Sequence, residues 1–230
     1  MDVPSWIGWD KLMQYYRKCP SDVHKKVFCF LFETGGRVSE VITLKRRQFR
    51  HNEYSVVVDK MPVFKYRLRK GVRKNVTRDV FIRRDRLNPL AEDLIDFVDE
   101  CGTSFIFPRR TSLTSEIVPG KHTSRVRIYN LTTEISKDLF PHWFRSMRAS
   151  FLVYVRRFNI FELKQWFAWK SMDTPGSYVR GVELAEKLGI QELPQTPKEI
   201  LQPLSSVVKE KSIRERLAEL EQRYERGEIK

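Results

Sequence analysis

Read from the N-terminus, the hydrophobic pattern is mostly helical. Residues 5–19 (SWIGWDKLMQYYRKC) set apolar groups at three- and four-residue intervals, which predicts an amphipathic helix ending before Pro20. Ser21 or Asp22 then caps a second helix, VHKKVFCFLFET, whose closely set Val, Phe and Leu mark it as central and buried. Gly35 and Gly36 end it, and a short helix starts at once with Val38. Arg37 therefore falls at a helix-to-helix junction where glycine lets the backbone turn tightly. An arginine so placed is held by a rigid core element yet can point outward.

The period then changes. Tyr54–Val58 and Val76–Ile82 are rich in β-branched and aromatic residues and predict a strand pair or small antiparallel sheet, joined by a very basic hairpin over Lys60–Lys74. Asn88 and Pro89 form a cap and first-turn pair ahead of PLAEDLIDFVDE, an amphipathic helix closed by Gly102. Residues 103–121 read as loop with a short extended piece at Phe105–Phe107, and 124–139 as a further amphipathic helix. The stretch from Pro141 splits into helices near 142–157, 160–168 and 175–187. Beyond Gly189 the composition shifts: QELPQTPKEILQP is connective, and 206–226 is a charged helix with few apolar positions, a solvated tail or an element that docks on a neighbour. The expected class is α+β, mostly helical, with one small antiparallel sheet.

Charge narrows the function. Lys and Arg number 43 against 29 Asp and Glu, a net +14 that favours polyanions, nucleic acid first and anionic membrane second. The membrane reading is weak, because no apolar run approaches the roughly 20 residues a spanning helix needs, and no signal-peptide pattern opens the chain. A soluble, cytoplasmic protein is expected. Cys19, Cys29 and Cys101 are odd in number and lie far apart in apolar surroundings, so they read as buried free thiols. There is no Gly-rich phosphate loop, HExxH or CxxC pair, and no cofactor or metal site is expected.

In PHWFRSM, His142 and Arg145 lie three apart on one helix face. On its own that spacing is common; Arg37 before it and Trp169 and Tyr178 after it give it weight. The set resembles the catalytic domain of tyrosine recombinases, the site-specific integrases. GGRVSEVITL is similar to the family's G-x-R-x-S-E-x-x-x-L motif, through Gly35, Arg37, Ser39, Glu40 and Leu44. PHWFR resembles its H-x-x-R box, and AWKSMDTPGSY its closing segment, with Ala168 where a glycine is usual, Trp169 in the second histidine's place and Tyr178 as nucleophile. The resemblance covers roughly residues 8–187, with spacing nearest archaeal integrases of the spindle-shaped-virus type.

The resemblance implies metal- and ATP-independent cleavage and rejoining of DNA through a 3′-phosphotyrosine. The chemistry suits the residues. A phenol with a pKa of about 10 must lose its proton while charge builds on the phosphate oxygens. Two guanidiniums, Arg37 and Arg145, suit those oxygens, and His142 and the Trp169 indole add donors. The departing 5′ oxygen needs a proton, for which the hairpin offers Lys60, Lys65, Lys70 and Lys74. Lys65, in MPVFK, is the favoured acid and Lys60 the second. Glu40, one turn after Arg37, is placed to orient it.

Basic runs recur over several elements and predict an extended surface tracking DNA phosphates, through Lys60, Arg67, Arg69, Lys70, Arg73, Lys74, Arg125 and Arg148. The expected partners are double-stranded DNA attachment sites and further copies of the chain, as a homodimer or homotetramer on DNA. The expected organisation is a catalytic domain over 1–189 and a linker with a charged helix over 190–230, the family's N-terminal DNA-binding domain being absent. A type IB topoisomerase-like nicking-closing enzyme and a non-catalytic DNA-binding protein are the alternatives.

Overall fold

The structure, a computed structural model, describes residues 6–64, 76–111 and 115–179. Its centre is helix α2 (Asp22–Thr34), which follows α1 (Trp9–Arg17) and leads into the single turn of α3 (Val38–Val41). Every α2 residue from Val27 to Thr34 is buried. Phe28, Phe30, Leu31 and Phe32 have no exposed surface, and burying side chains of that size contributes roughly 1.5–3 kcal/mol each. The hydrophobic run that predicted a central helix thus forms one, packed by α4 (Leu90–Asp99), α5 (Arg125–Ile135) and α6 (Pro141–Tyr154). Trp6 and Trp9 close one end of this core in a ring cluster with Phe32 and Phe151.

Beside the helices lies an antiparallel sheet of β1 (Phe49–His51), β2 (Ser55–Pro62) and β3 (Thr77–Arg83), in that order. The sequence pattern gave two of these strands; β1 is too short to show a period. β3 alternates strictly, with Arg78, Val80 and Ile82 facing inward and Thr77, Asp79, Phe81 and Arg83 outward. In β2 a bulge between Val58 and Met61 breaks the register. Lys60 sits there with φ +48, and its amide donates to Asp79 Oδ1 at 2.8 Å. Such a bulge re-aims the side chains that follow it.

Two departures from the predicted elements have local causes. The loop expected over 103–121 contains a second hairpin, β4 (Pro108–Arg110) with β5 (Ile117–His122). Its strand IVPGKH holds a proline and a glycine and buries no residue, so no alternation announced it. Helix α5 stops at Ile135, earlier than the pattern allowed, because Ser136 turns extended. Helix α7 (Ile160–Phe167) matches its expected span, and the last predicted helix is seen over residues 173–179. The charged 206–226 segment lies outside the described residues, as do Lys65, Arg67, Arg69, Lys70, Arg73 and Lys74. No described helix is long and apolar enough to cross a membrane.

All three cysteines are buried free thiols. Burial pushes Cys19 up to about 12 and Cys29 well above the ordinary thiol value.

Candidate active site

The site begins where α2 ends. Gly35 takes the left-handed conformation, with φ +53, and a Cβ there would meet the Phe167 ring at 2.8 Å. At Gly36 a Cβ would lie 2.2 Å from the Met61 methyl. The two glycines therefore let the junction before Arg37 close against α7 on one side and β2 on the other. Arg37 caps α3. Its amide donates to Glu40 Oε2 at 2.8 Å and its Nη1 to Glu40 Oε1 at 3.0 Å, so the carboxylate one turn on fixes both backbone and side chain.

Arg145 reaches the same carboxylate from α6. Its Nη1 lies 3.8 Å from Glu40 Oε2 and donates to the Gly35 carbonyl at 2.8 Å. Its guanidinium lies over the Phe167 ring at 4.6 Å and the Trp169 ring at 5.5 Å. Arg145 is 3% exposed. Burial, then the neighbouring Arg37 charge, lowers it to about 9, which still leaves it cationic at neutral pH. Burial, reinforced by the Arg145 and Arg37 charges, also holds the His142 imidazole below its ordinary value. The ring nonetheless keeps an open face, because residue 142 itself is exposed.

Tyr178 enters from the chain after α7. Ala168 is left-handed, with φ +51, and two amide bonds close the helix there: Ala168 to the Gln165 carbonyl and Trp169 to that of Lys164. This is the position at which helices favour glycine, and alanine occupies it. The reversal aims Trp169 back along α7, where it stacks on Phe167 at 4.4 Å and on Tyr178 at 5.9 Å, the planes within 14° and 8° of parallel. The Tyr178 hydroxyl donates to Ser146 Oγ at 3.3 Å, beside Arg145 on α6.

Arg37, Glu40, Arg145, Trp169 and Tyr178 are thus joined through one chain of contacts, and His142 lies within the field of both arginines. Lys65 falls outside the described residues, but the Phe64 amide just before it donates to Glu40 Oε1 at 3.2 Å. Of the expected DNA contacts, Lys60 and Arg125 are exposed. Arg148 is not a surface residue, contrary to the reading of RSMR as a basic patch. It is 2% exposed, with Nη1 3.2 Å from the fully buried Glu33 and its guanidinium over the Phe32 and Phe151 rings. Its charge fell on the core side of α6, a turn below Arg145.

Sequence reasoning passed over Arg78. It is buried on the inner face of β3, its Nη2 donating to the Thr34 carbonyl at 2.7 Å and its Nη1 to the Trp166 carbonyl. The strand's strict alternation was the available signal, since Arg78 shares parity with Val80 and Ile82. Ser146 carried no such signal, because a serine in a helix becomes a partner only once the tyrosine arrives.

No protein-family model and no curated protein matches the sequence. Solved structures do match. The XerH site-specific recombinase bound to palindromic difH substrate, in a post-cleavage complex, superposes with a TM-score of 0.59 at 14% identity, over 83% of this chain and 54% of that one. XerA recombinase gives 0.55 at 16% identity, over 84% of this chain and 66% of that one. The chain therefore spans about half the length of XerH. The architecture built up above, a helical core with small antiparallel sheets, is the catalytic-domain fold of the tyrosine recombinases.

Proposed function

We propose that this chain cleaves and rejoins DNA as a site-specific recombinase, with Tyr178 as nucleophile. One observation carries the reading: two guanidiniums, Arg37 and Arg145, share the single carboxylate of Glu40, and the second of them lies over the Trp169 ring on which Tyr178 stacks. That leaves excess positive charge next to a phenol, which suits a phosphodiester and opposes a cationic or neutral substrate.

In the proposed step the Tyr178 oxygen attacks phosphorus and its proton passes to solvent. The bond to the 5′ oxygen breaks, and a 3′-phosphotyrosine and a free 5′ hydroxyl result. Arg37 and Arg145 take the non-bridging oxygens, and His142 and the Trp169 indole N–H add donors. Preorganised donors of this kind are worth roughly 3–4 kcal/mol each on removal. Lys65 protonates the departing oxygen, with Lys60 the second choice; the Glu40 bond to the Phe64 amide anchors the chain one residue before Lys65. The phosphotyrosine keeps the energy of the broken bond, so a second 5′ hydroxyl can reverse the step without ATP. Site choice, and action as two or four copies on paired sites, belong to the same proposal.

The test is a pool of duplexes with a randomised segment, incubated in EDTA and stopped with detergent. A denaturant-stable protein–DNA adduct is expected from wild type, none from Tyr178→Phe, and far less from Arg37→Ala and Arg145→Ala, whose loss of adduct far exceeds their loss of DNA affinity. The recovered sequences then supply a defined substrate. A wild type that binds DNA tightly but forms no adduct is an architectural protein, and one that relaxes supercoils yet never exchanges paired sites is a topoisomerase.

A further inference from the structure

We infer that Arg78 is a positioning residue for this reaction: it braces the chain leading to Arg37 against the chain leading to Trp169 and so sets the width of the phosphate pocket. The inference rests on the Tyr178 reading. Arg78 faces inward with Val80 and Ile82 and is 7% exposed. A buried cation is costly unless it is compensated. Among the described residues no carboxylate lies within ion-pair distance of it.

The compensation comes from two helix ends. Thr34 closes α2 and Trp166 lies in the last turn of α7, so both carbonyls belong to groups that lack a partner within their own helices. Arg78 donates to both. A cation is also favoured there by the negative ends of both helix dipoles. Its plane lies over the Trp166 ring at 4.8 Å and the Phe167 ring at 5.7 Å, and Phe167 carries Arg145 as well. Thr34 precedes Arg37 by three residues and Trp166 precedes Trp169 by three. One rigid, planar group therefore spaces the two segments that hold the pocket's walls, a task the fork geometry of arginine suits and a flexible lysine does not. Packing alone does not require it, since an apolar side chain would fill the same inner face of β3 without the burial cost.

The experiment compares Arg78→Met, which keeps a long stem against the rings but loses the donors, with Arg78→Lys, which keeps the charge but reaches one carbonyl. Adduct formation is timed in a single turnover at saturating duplex, using the substrate recovered with wild type. DNA affinity is measured separately in the Tyr178→Phe background, and thermal melts confirm folding. Arg78→Met is expected to slow adduct formation by about 100-fold, the scale of an ångström-sized misplacement, with affinity unchanged. Arg78→Lys recovers part of that rate. A folded Arg78→Met with the wild-type rate overturns the inference, and so does a rate that falls only in step with affinity. Should Arg78→Met not fold, Arg78→Lys decides alone, and a wild-type rate there overturns it. A wild type that forms no adduct defeats the parent reading, and this one with it.

Discussion

Glu40→Gln perturbs the point on which the site turns. The carboxylate has no exposed surface and accepts from the Arg37 amide, Arg37 Nη1 and the Phe64 amide, with Arg145 Nη1 3.8 Å away. Glutamine keeps the volume but offers one oxygen. If that oxygen stays toward Arg37 Nη1 and Phe64, the new NH2 faces the Arg37 amide and Arg145, donor against donor. Removing one member of a buried pair and leaving its partner uncompensated costs ~3–5 kcal/mol. At 2–4 °C per kcal/mol for a chain of this size, the melting temperature should fall by roughly 6–20 °C. The substitution also makes the pocket more positive, so duplex DNA should raise the variant's melting temperature more than the wild type's. Calorimetric melts with and without DNA read both effects. A loss under about 1 kcal/mol, or no coupling in a double-mutant cycle with Arg145→Gln, would refute the shared-carboxylate account.

Further outcomes follow from the geometry. His142 has a depressed value in the free protein, so between that value and the ordinary 6.5 the unfolded chain binds more protons, and stability should fall as the pH drops through that window. A bound phosphate offsets the arginine charges and raises the ring's value, so DNA binding should take up a proton there; titration calorimetry in buffers of different ionisation heat detects this, and His142→Gln should abolish it. Ala168→Gly removes a left-handed Cβ costing roughly 1–2 kcal/mol but adds chain entropy worth roughly 0.5–1. A net gain of up to about 1.5 kcal/mol is therefore expected in a thermal melt, and a loss would mean that the methyl packs. Arg125→Ala should lower the salt dependence of DNA binding by about one phosphate contact. Arg148→Met should leave that slope unchanged and instead lower the melting temperature, because it strands the buried Glu33.

The helices were legible because they bury wide apolar faces, and the α2 run and PLAEDLIDFVDE state their burial residue by residue. The β4–β5 hairpin was not, because it buries nothing and owes its form to pairing. Among site residues, Arg37 could be placed at its junction because glycines mark tight turns. What the pattern hid was burial of charge. Arg145 and Arg148, three apart on α6, look alike in the sequence, yet one meets Glu40 at the pocket and the other Glu33 in the core. Arg78 shows the converse, since its inward parity was plain and only the assumption that arginines face water concealed it.

The sulfhydryl groups give the molecule a graded internal clock. Cys29, midway along α2 with no exposed surface, can be alkylated only when the central helix lets go, whereas Cys19 and Cys101, each with a sliver of surface, yield to smaller openings. Timing the three reactions by mass would read the order in which this domain comes apart without adding a label, and the lag between the first and the last would measure how far its rim breathes independently of its heart.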